Sequence, residues 1–246
     1  MSPTMTTIAF FGASGGCGLS ALKQALSAGH FCVALCRNPA KLMDKFPAGE
    51  HPNLTVLPGN AHDADAVGRC LVDPSSDGTR LVDAVLFSIG SVFQMSKLTI
   101  EDPHVCENGI TALLEALREA RARGATGRPN IVAISSTGIS KAGRDFPVLV
   151  APLYRFLLRV AHADKRILEE KLVSAGETYA IVRPSLLVDG ETKKKIRVGI
   201  EDWEQGLEKK EVGYSISRED IGRWIFENLL QGERQEYWNK IVSLTW

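Results

Sequence analysis

The sequence predicts an α/β fold: a parallel sheet wound doubly, with helices on both faces. Two observations carry that expectation. Short apolar runs recur along the 246 residues, each followed by a stretch of helical periodicity. The first of these runs passes directly into a glycine-rich turn and then a helix. No long linker or internal repeat interrupts the alternation. A chain of this size can also bury one large core, so a single domain spanning 1–246 is expected.

The first strand is Ile8-Ala9-Phe10-Phe11, and it ends in Gly12-Ala13-Ser14-Gly15-Gly16-Cys17-Gly18. Leu19–Ala28 then reads as a helix that stops at Gly29. Gly12 lets the chain leave the strand in a tight turn, Gly15 lets the backbone approach a pyrophosphate, and Gly18 lets the helix pack close to the sheet. The N-terminal amides of that helix point at phosphates. This is the opening of a dinucleotide-binding, Rossmann-type domain. Gly12, Ser14, Gly15, Gly16, Cys17 and Gly18 are its candidate cofactor-binding residues.

The second strand, Phe31–Cys36, selects the nucleotide at its end. An acidic residue there would hydrogen-bond a ribose 2′-hydroxyl, whereas an arginine accommodates a 2′-phosphate. Cys36 stands at the acidic position and Arg37-Asn38 follow, with Lys41 a helical turn later. A guanidinium fork backed by a second cation matches phosphate, so NADP(H) is expected over NAD(H).

The remaining elements follow in order. Leu54–Leu57 is a third strand leading to Pro58-Gly59-Asn60-Ala61, and Ala64–Val72 a helix. Asp83–Ile89 is a fourth strand, followed by Gly90, and Pro103–Arg123 a long helix with Ile110, Leu113, Leu114 and Leu117 on one face. Asn130–Ser135 is the fifth strand, Leu153–Ser174 an amphipathic helix, and Tyr179–Val182 a sixth strand ending at Arg183-Pro184. Tyr237–Trp246 reads as a closing strand on the sheet edge. In a parallel sheet the ligand lies beyond the carboxyl ends of the strands.

Acidic and basic residues balance at 29 each, so no global field favours nucleic acid or an anionic membrane. Met1–Thr7 lacks a basic stretch followed by an apolar run, and no later segment approaches a membrane span. Cys17, Cys32, Cys36, Cys70 and Cys106 are scattered without a CxxC pair, which argues against disulfides and a zinc site. A cytoplasmic protein with reduced, buried thiols, no metal, and a monomeric or homodimeric state is expected.

The motifs GASGGCG, CRNPAKL, LPGNAHD, LFSIG, VAISSTG and ADKRILEEKLVSAGETYAIVRPSLL, with Ser215-Ile216-Ser217-Arg218-Glu219-Asp220-Ile221 late in the chain, resemble the short-chain dehydrogenase/reductase superfamily. The likeness is to its atypical branch, which includes NmrA-like proteins and the flavin or biliverdin reductase B type, and it covers nearly the whole chain. It implies that Asn60 and Ala61 flank the adenine and that Ser88, Ile89 and Gly90 contact the ribose and phosphates. It also implies that Pro184 to Leu186 face the nicotinamide, with Ser135 among the cofactor-binding residues.

Mainstream members use a tyrosine as proton donor, a lysine four residues later that also holds the ribose, and a serine at the end of the fifth strand. Ser136 matches that serine and Lys165 that lysine, but the tyrosine position holds Ala161. Tyr154 lies eleven residues before Lys165, about 16 Å away along one continuous helix, and is a poor partner. His162, three residues before Lys165, is the candidate proton-transfer group because an ordinary imidazole titrates near neutrality.

These residues point to NADPH-dependent hydride transfer to a small conjugated or carbonyl-bearing organic acceptor. Two alternatives use the same scaffold: an NADP(H)-sensing regulatory protein, and a non-redox isomerase or cyclase. Specificity is expected in substrate-side loops 137–152 and 189–213. Phe146, Leu149 and Val150 in one, and Ile200, Trp203 and Leu207 in the other, form either an apolar lid or core and dimer contacts. Lys193-Lys194-Lys195 reads as a solvated loop face.

Overall fold

A computed structural model describes residues 5–46, 49–91, 93–94, 99–231 and 234–246. The chain alternates β1 (Thr7–Phe11), α1 (Gly16–Ser27), β2 (Phe31–Cys36), α2 (Pro39–Met43), β3 (Leu54–Pro58), α3 (Ala64–Leu71) and β4 (Ala84–Phe87). A short antiparallel pair, β5 (Phe93–Gln94) and β6 (Thr99–Ile100), precedes α4 (Val105–Ala122) and β7 (Asn130–Ile134). Then come α5 (Ala151–Phe156), α6 (Arg159–Ser174), β8 (Tyr179–Pro184), β9 (Leu186–Val188), β10 (Arg197–Asp202) and β11 (Gly206–Lys209). The chain closes with β12 (Ser215–Ser217), α7 (Arg218–Ile225) and β13 (Lys240–Thr245).

The main sheet has the order β11-β10-β13-β8-β7-β4-β1-β2-β3, parallel from β3 through β13 and antiparallel beyond. Its order places β1 at the point where the winding reverses, where an open α/β sheet forms a crevice. Strand β1 is buried along its whole length and alternates faces. Ile8 and Phe10 pack in the core cluster under α1 and α7, and Ala9 and Phe11 in the cluster under α3, α4 and α6.

The structure corrects three expectations. The predicted helix 153–174 is two helices: α5 ends at Phe156 and α6 starts at Arg159, so the axial spacing of Tyr154 from Lys165 does not follow from one straight helix. The Tyr154 side chain lies outside the described residues. The segment 189–213 is not one loop, because β10 and β11 within it extend the sheet. β13 is not an edge strand, since it lies between β8 and β10.

The last two corrections have one cause. β10 runs antiparallel from Arg197, opposite Thr245, to Glu201, opposite Ile241. Its far end, with Trp203 and Leu207 at the turn into β11, therefore lies at the amino edge of the sheet, away from the expected nicotinamide end. Ile200 and Trp203 pack against the two core clusters, and Leu207 is exposed. Ile200 and Trp203 are core contacts and Leu207 is an exposed residue of β11, so the three do not form a lid.

Candidate cofactor and hydride-transfer site

The parallel register brings the exits of six strands to one edge. Phe11 pairs with Leu35 and Phe87, Cys36 with Pro58, Phe87 with Ala133, and Ile134 with Val182. Gly12, Arg37, Gly59, Ser88, Ser135 and Ser185 therefore leave the sheet on the same side.

The glycine turn is interlocked with the end of β4. Ser88 Oγ donates to the carbonyls of Phe11 at 3.0 Å and Gly12 at 3.2 Å. A Cβ on Gly18 would stand 2.2 Å from Ser88 Oγ and 2.6 Å from Gly12 O, and Gly12 itself has φ +92°. Glycine at 12 and 18 is thus required by the fold. The Ser88 hydroxyl serves the turn, while Gly90 is exposed.

Gly15 is different. Its φ of −171° suits any residue, and a Cβ there would meet nothing within 4 Å among the described residues. It leads into α1, which has no side-chain N-cap and no acidic residue in its first turn. By contrast, α3 is capped by Asp63 and α7 by Ser217. Uncapped amides facing open space, at the end of a helix dipole, fit an anionic group such as a dinucleotide pyrophosphate. Ser14 lies in this turn, half-buried, and Cys17 is buried, its thiol pushed up to about 12 mainly by burial, which leaves it inert.

At the exit of β2, Arg37, Asn38 and Lys41 are exposed. Neither cation has a salt bridge among the described residues. Pro39 opens α2, which sets Lys41 on its first turn. Asn60 is exposed, its Oδ1 accepting from His62 N at 3.2 Å, and Ala61 is half-buried against the core.

The other half of the site is carried by α6. His162, Asp164, Leu168, Glu169 and Leu172 form its buried face, with Lys165 beside them. Lys165 Nζ donates to Ile89 O at 2.8 Å and Ile134 O at 2.7 Å, bridging the exits of β4 and β7. Ser136 Oγ donates to Thr137 O at 3.0 Å and stands 3.4 Å from His162 Nε2. The structure thus brings Ser136, reached through the family resemblance, to His162, reached through its spacing from Lys165, and sets Lys165 on the exit of the same strand β7. Burial, and secondarily the Arg166 charge, lowers His162 from 6.5 to about 4, so it is neutral at pH 7. Ser135 is buried, and its hydroxyl has no partner among the described residues. Pro184 closes β8, and Leu186, 42% exposed, opens β9.

Two supporting groups were not visible in the sequence. Asp164 accepts from the amides of Cys106 at 2.9 Å and Glu107 at 2.8 Å, so it caps α4 from another helix. Its signal was negative: His104 stands at the N-cap of α4 and makes no side-chain cap bond. The second is Arg183, buried under the site. It forms a bidentate pair with Glu169 at 2.9 and 2.6 Å and a third bond to Glu201 at 2.9 Å. Ser140 Oγ also donates to Glu201, and Asp145 accepts from Gly138 N at 2.8 Å. The loop after β7, helix α6 and strand β10 are fastened together through this cluster.

The family profile described as NAD(P)H-binding matches residues 12–231. The reductase pytE of Aspergillus terreus is 39% identical with both chains covered in full, and the oxidase pynE of Aspergillus niger is 32% identical over 97% of this chain and 98% of its own. A wide-type short-chain dehydrogenase/reductase from Veillonella parvula, solved with NADP, superposes with a TM-score of 0.73. It is 15% identical, over 98% of this chain and 94% of its own. The chain belongs to the NAD(P)H-binding family, and its fold is that of the Veillonella protein. It is an NAD(P)H-dependent oxidoreductase. Among the described residues no helix is long and apolar enough to cross a membrane, and no three His, Cys, Asp or Glu side chains group to hold a metal ion.

Proposed function

We propose that the chain is an NADP(H)-dependent reductase acting on a small conjugated or carbonyl-bearing organic acceptor. The observation that carries this reading is the uncapped first turn of α1 facing open space at Gly15, with Arg37 and Lys41 exposed and unpaired at the neighbouring strand exit. The α1 amides would hold the pyrophosphate and the Arg37 fork, with Lys41, the 2′-phosphate. Asn60 and Ala61 would flank the adenine, Ile89 and Gly90 the ribose and phosphates, and Pro184 and Leu186 the nicotinamide. When bound, the dihydronicotinamide supplies a hydride.

The chain's own groups then position the acceptor. An ammonium has three protons, and Lys165 uses two on the Ile89 and Ile134 carbonyls, so the third is left for a ribose hydroxyl. Ser136 Oγ, on turning its one proton from Thr137 O, would orient the acceptor's carbonyl, with neutral His162 Nε2 beside it at 3.4 Å. A neutral imidazole is a weak acid, and Ala161 donates nothing, so the proton completing the reduction comes from solvent. Val148, Leu149 and Phe156 are exposed on the segment joining β7 to α6, and this surface suits an apolar acceptor. Five buried, unpaired thiols fit a reducing, cytoplasmic location.

Titration of the purified chain with NADPH and NADH tests the cofactor choice. The expected result is preference for NADPH, with Arg37→Glu lowering NADPH affinity at least about tenfold and leaving NADH affinity little changed. Equal affinities in the wild type, or a preference indifferent to Arg37, would contradict it.

A further inference from the structure

We infer that Arg218 is a ligand for the dinucleotide pyrophosphate, with Asp189 as the counter-ion it releases when the nucleotide binds. This rests on the cofactor reading above and adds a residue from the C-terminal part of the chain, some 200 residues beyond the glycine turn.

Helices α1 and α7 lie side by side with their N-termini at the same end. Gly16 opens α1 next to Arg218, which opens α7, and further along Gly222 packs where a Cβ would fall 2.4 Å from Ser20 Cβ. That close approach brings Arg218 to the glycine turn. Around Gly16, a Cβ would find within 4 Å, among the described residues, only the Arg218 side chain, Cδ at 3.5 Å and Nε at 4.0 Å. The guanidinium charge reaches Cys17, where it opposes the rise that burial imposes on the thiol. A positive group thus sits beside the first residue of α1, whose uncapped amides would take an anion.

The anion now on Arg218 is Asp189. Nη1 donates to Asp189 Oδ1 at 2.7 Å, with Arg218 34% exposed and Asp189 82% exposed. An ion pair so exposed on its acidic side is weak and exchangeable. A phosphate oxygen offers the guanidinium the same charge-assisted geometry with more negative charge. The other acids of this edge have partners of their own: Glu219 accepts from Gly190 N, Asp220 from Thr192 and Trp246, and Glu191 from Arg223. Asp189 is the one whose displacement leaves those bonds in place.

The test is calorimetric titration with NADP+, NAD+ and adenosine 2′-monophosphate, which lacks the pyrophosphate. Arg218→Ala should weaken NADP+ and NAD+ by the same factor, about tenfold or more, and leave adenosine 2′-monophosphate unchanged. Asp189→Asn should tighten both dinucleotides by up to about fivefold. Unchanged dinucleotide binding by Arg218→Ala, or an equal loss for the monophosphate, would overturn the inference. Should Arg218→Ala fail to fold, Asp189→Asn decides, and unchanged affinity there overturns it. Failure of the wild type to bind any nicotinamide nucleotide overturns the cofactor reading itself, and the inference with it.

Discussion

Gly15 and Gly18 sit three residues apart in one turn and are glycine for different reasons. Gly18 has no room for a methyl group, whereas a methyl on Gly15 would meet nothing within 4 Å among the described residues. Gly18→Ala should therefore destabilise the fold by about 1–3 kcal/mol in a urea melt. Replacing Ser88 by Ala should recover only part, because the Gly12 carbonyl remains 2.6 Å from the new atom. Gly15→Val should change stability by no more than about 1 kcal/mol yet abolish dinucleotide binding. A Gly15→Val variant that binds normally would show that the open space is not the pyrophosphate's. The glycine spacing made this turn legible in the sequence. The spacing also set Gly18 apart as the packing glycine; what it could not show is the neighbour that closes on Gly18, since Ser88 comes from the exit of β4.

His162 shows the opposite case, a residue found by sequence whose chemistry the surroundings change. Its folded value of about 4 lies below the ordinary 6.5, so between those values the unfolded chain binds more protons. Stability should be full above pH 6.5 and fall as pH drops towards 4, by up to about 3 kcal/mol. His162→Asn should flatten that limb in denaturant melts taken across the range. If the limb persists unchanged, the imidazole is not buried neutral. The ordinary value assumed from sequence failed because α6 turns this side chain inward and Arg166 lies near it.

At the scale of elements, the six parallel strands and the helices between them were legible because each strand is a short apolar run bounded by turn residues. Connections that depend on distant partners were not. The α4 cap comes from Asp164, 58 residues beyond Cys106. Asp164→Ala should cost about 1–2 kcal/mol and increase amide exchange in the first turn of α4. Exchange confined to other segments would contradict its role as a cap. The break between α5 and α6 carries no proline or glycine at Leu157-Leu158, so periodicity ran through it. The placement of β13 escaped for a related reason. An apolar strand reads alike at an edge or inside a sheet, and only the pairing of β10 with its outer side made it interior.

At the scale of the whole molecule, the site depends on charges buried beneath it. Arg183 meets Glu169 and Glu201 with almost no exposure of any of the three side chains, and Asp145 lies close by. Removing the guanidinium leaves buried carboxylates without compensation, so Arg183→Met should cost about 3–5 kcal/mol in a denaturant melt. Burial raises the Asp145 carboxyl above its ordinary 3.8, so the folded chain holds that proton more tightly than the unfolded chain. This group's contribution is therefore lost as pH rises from 3.8 through the raised folded value, and Asp145→Asn should be more stable than wild type at neutral pH. None of this cluster was foreseen, because β8, α6, β10 and the loop after β7 each supply a part.

The central claim is that the carboxyl edge of this sheet presents NADPH to an organic acceptor for hydride transfer. Single-turnover stopped-flow oxidation of bound NADPH against a panel of quinones, flavins and enones tests it most directly. The expected result is rapid oxidation by at least one class of acceptor, lost in Gly15→Val and slowed in Ser136→Ala. Tight binding of NADPH that no acceptor oxidises would contradict it.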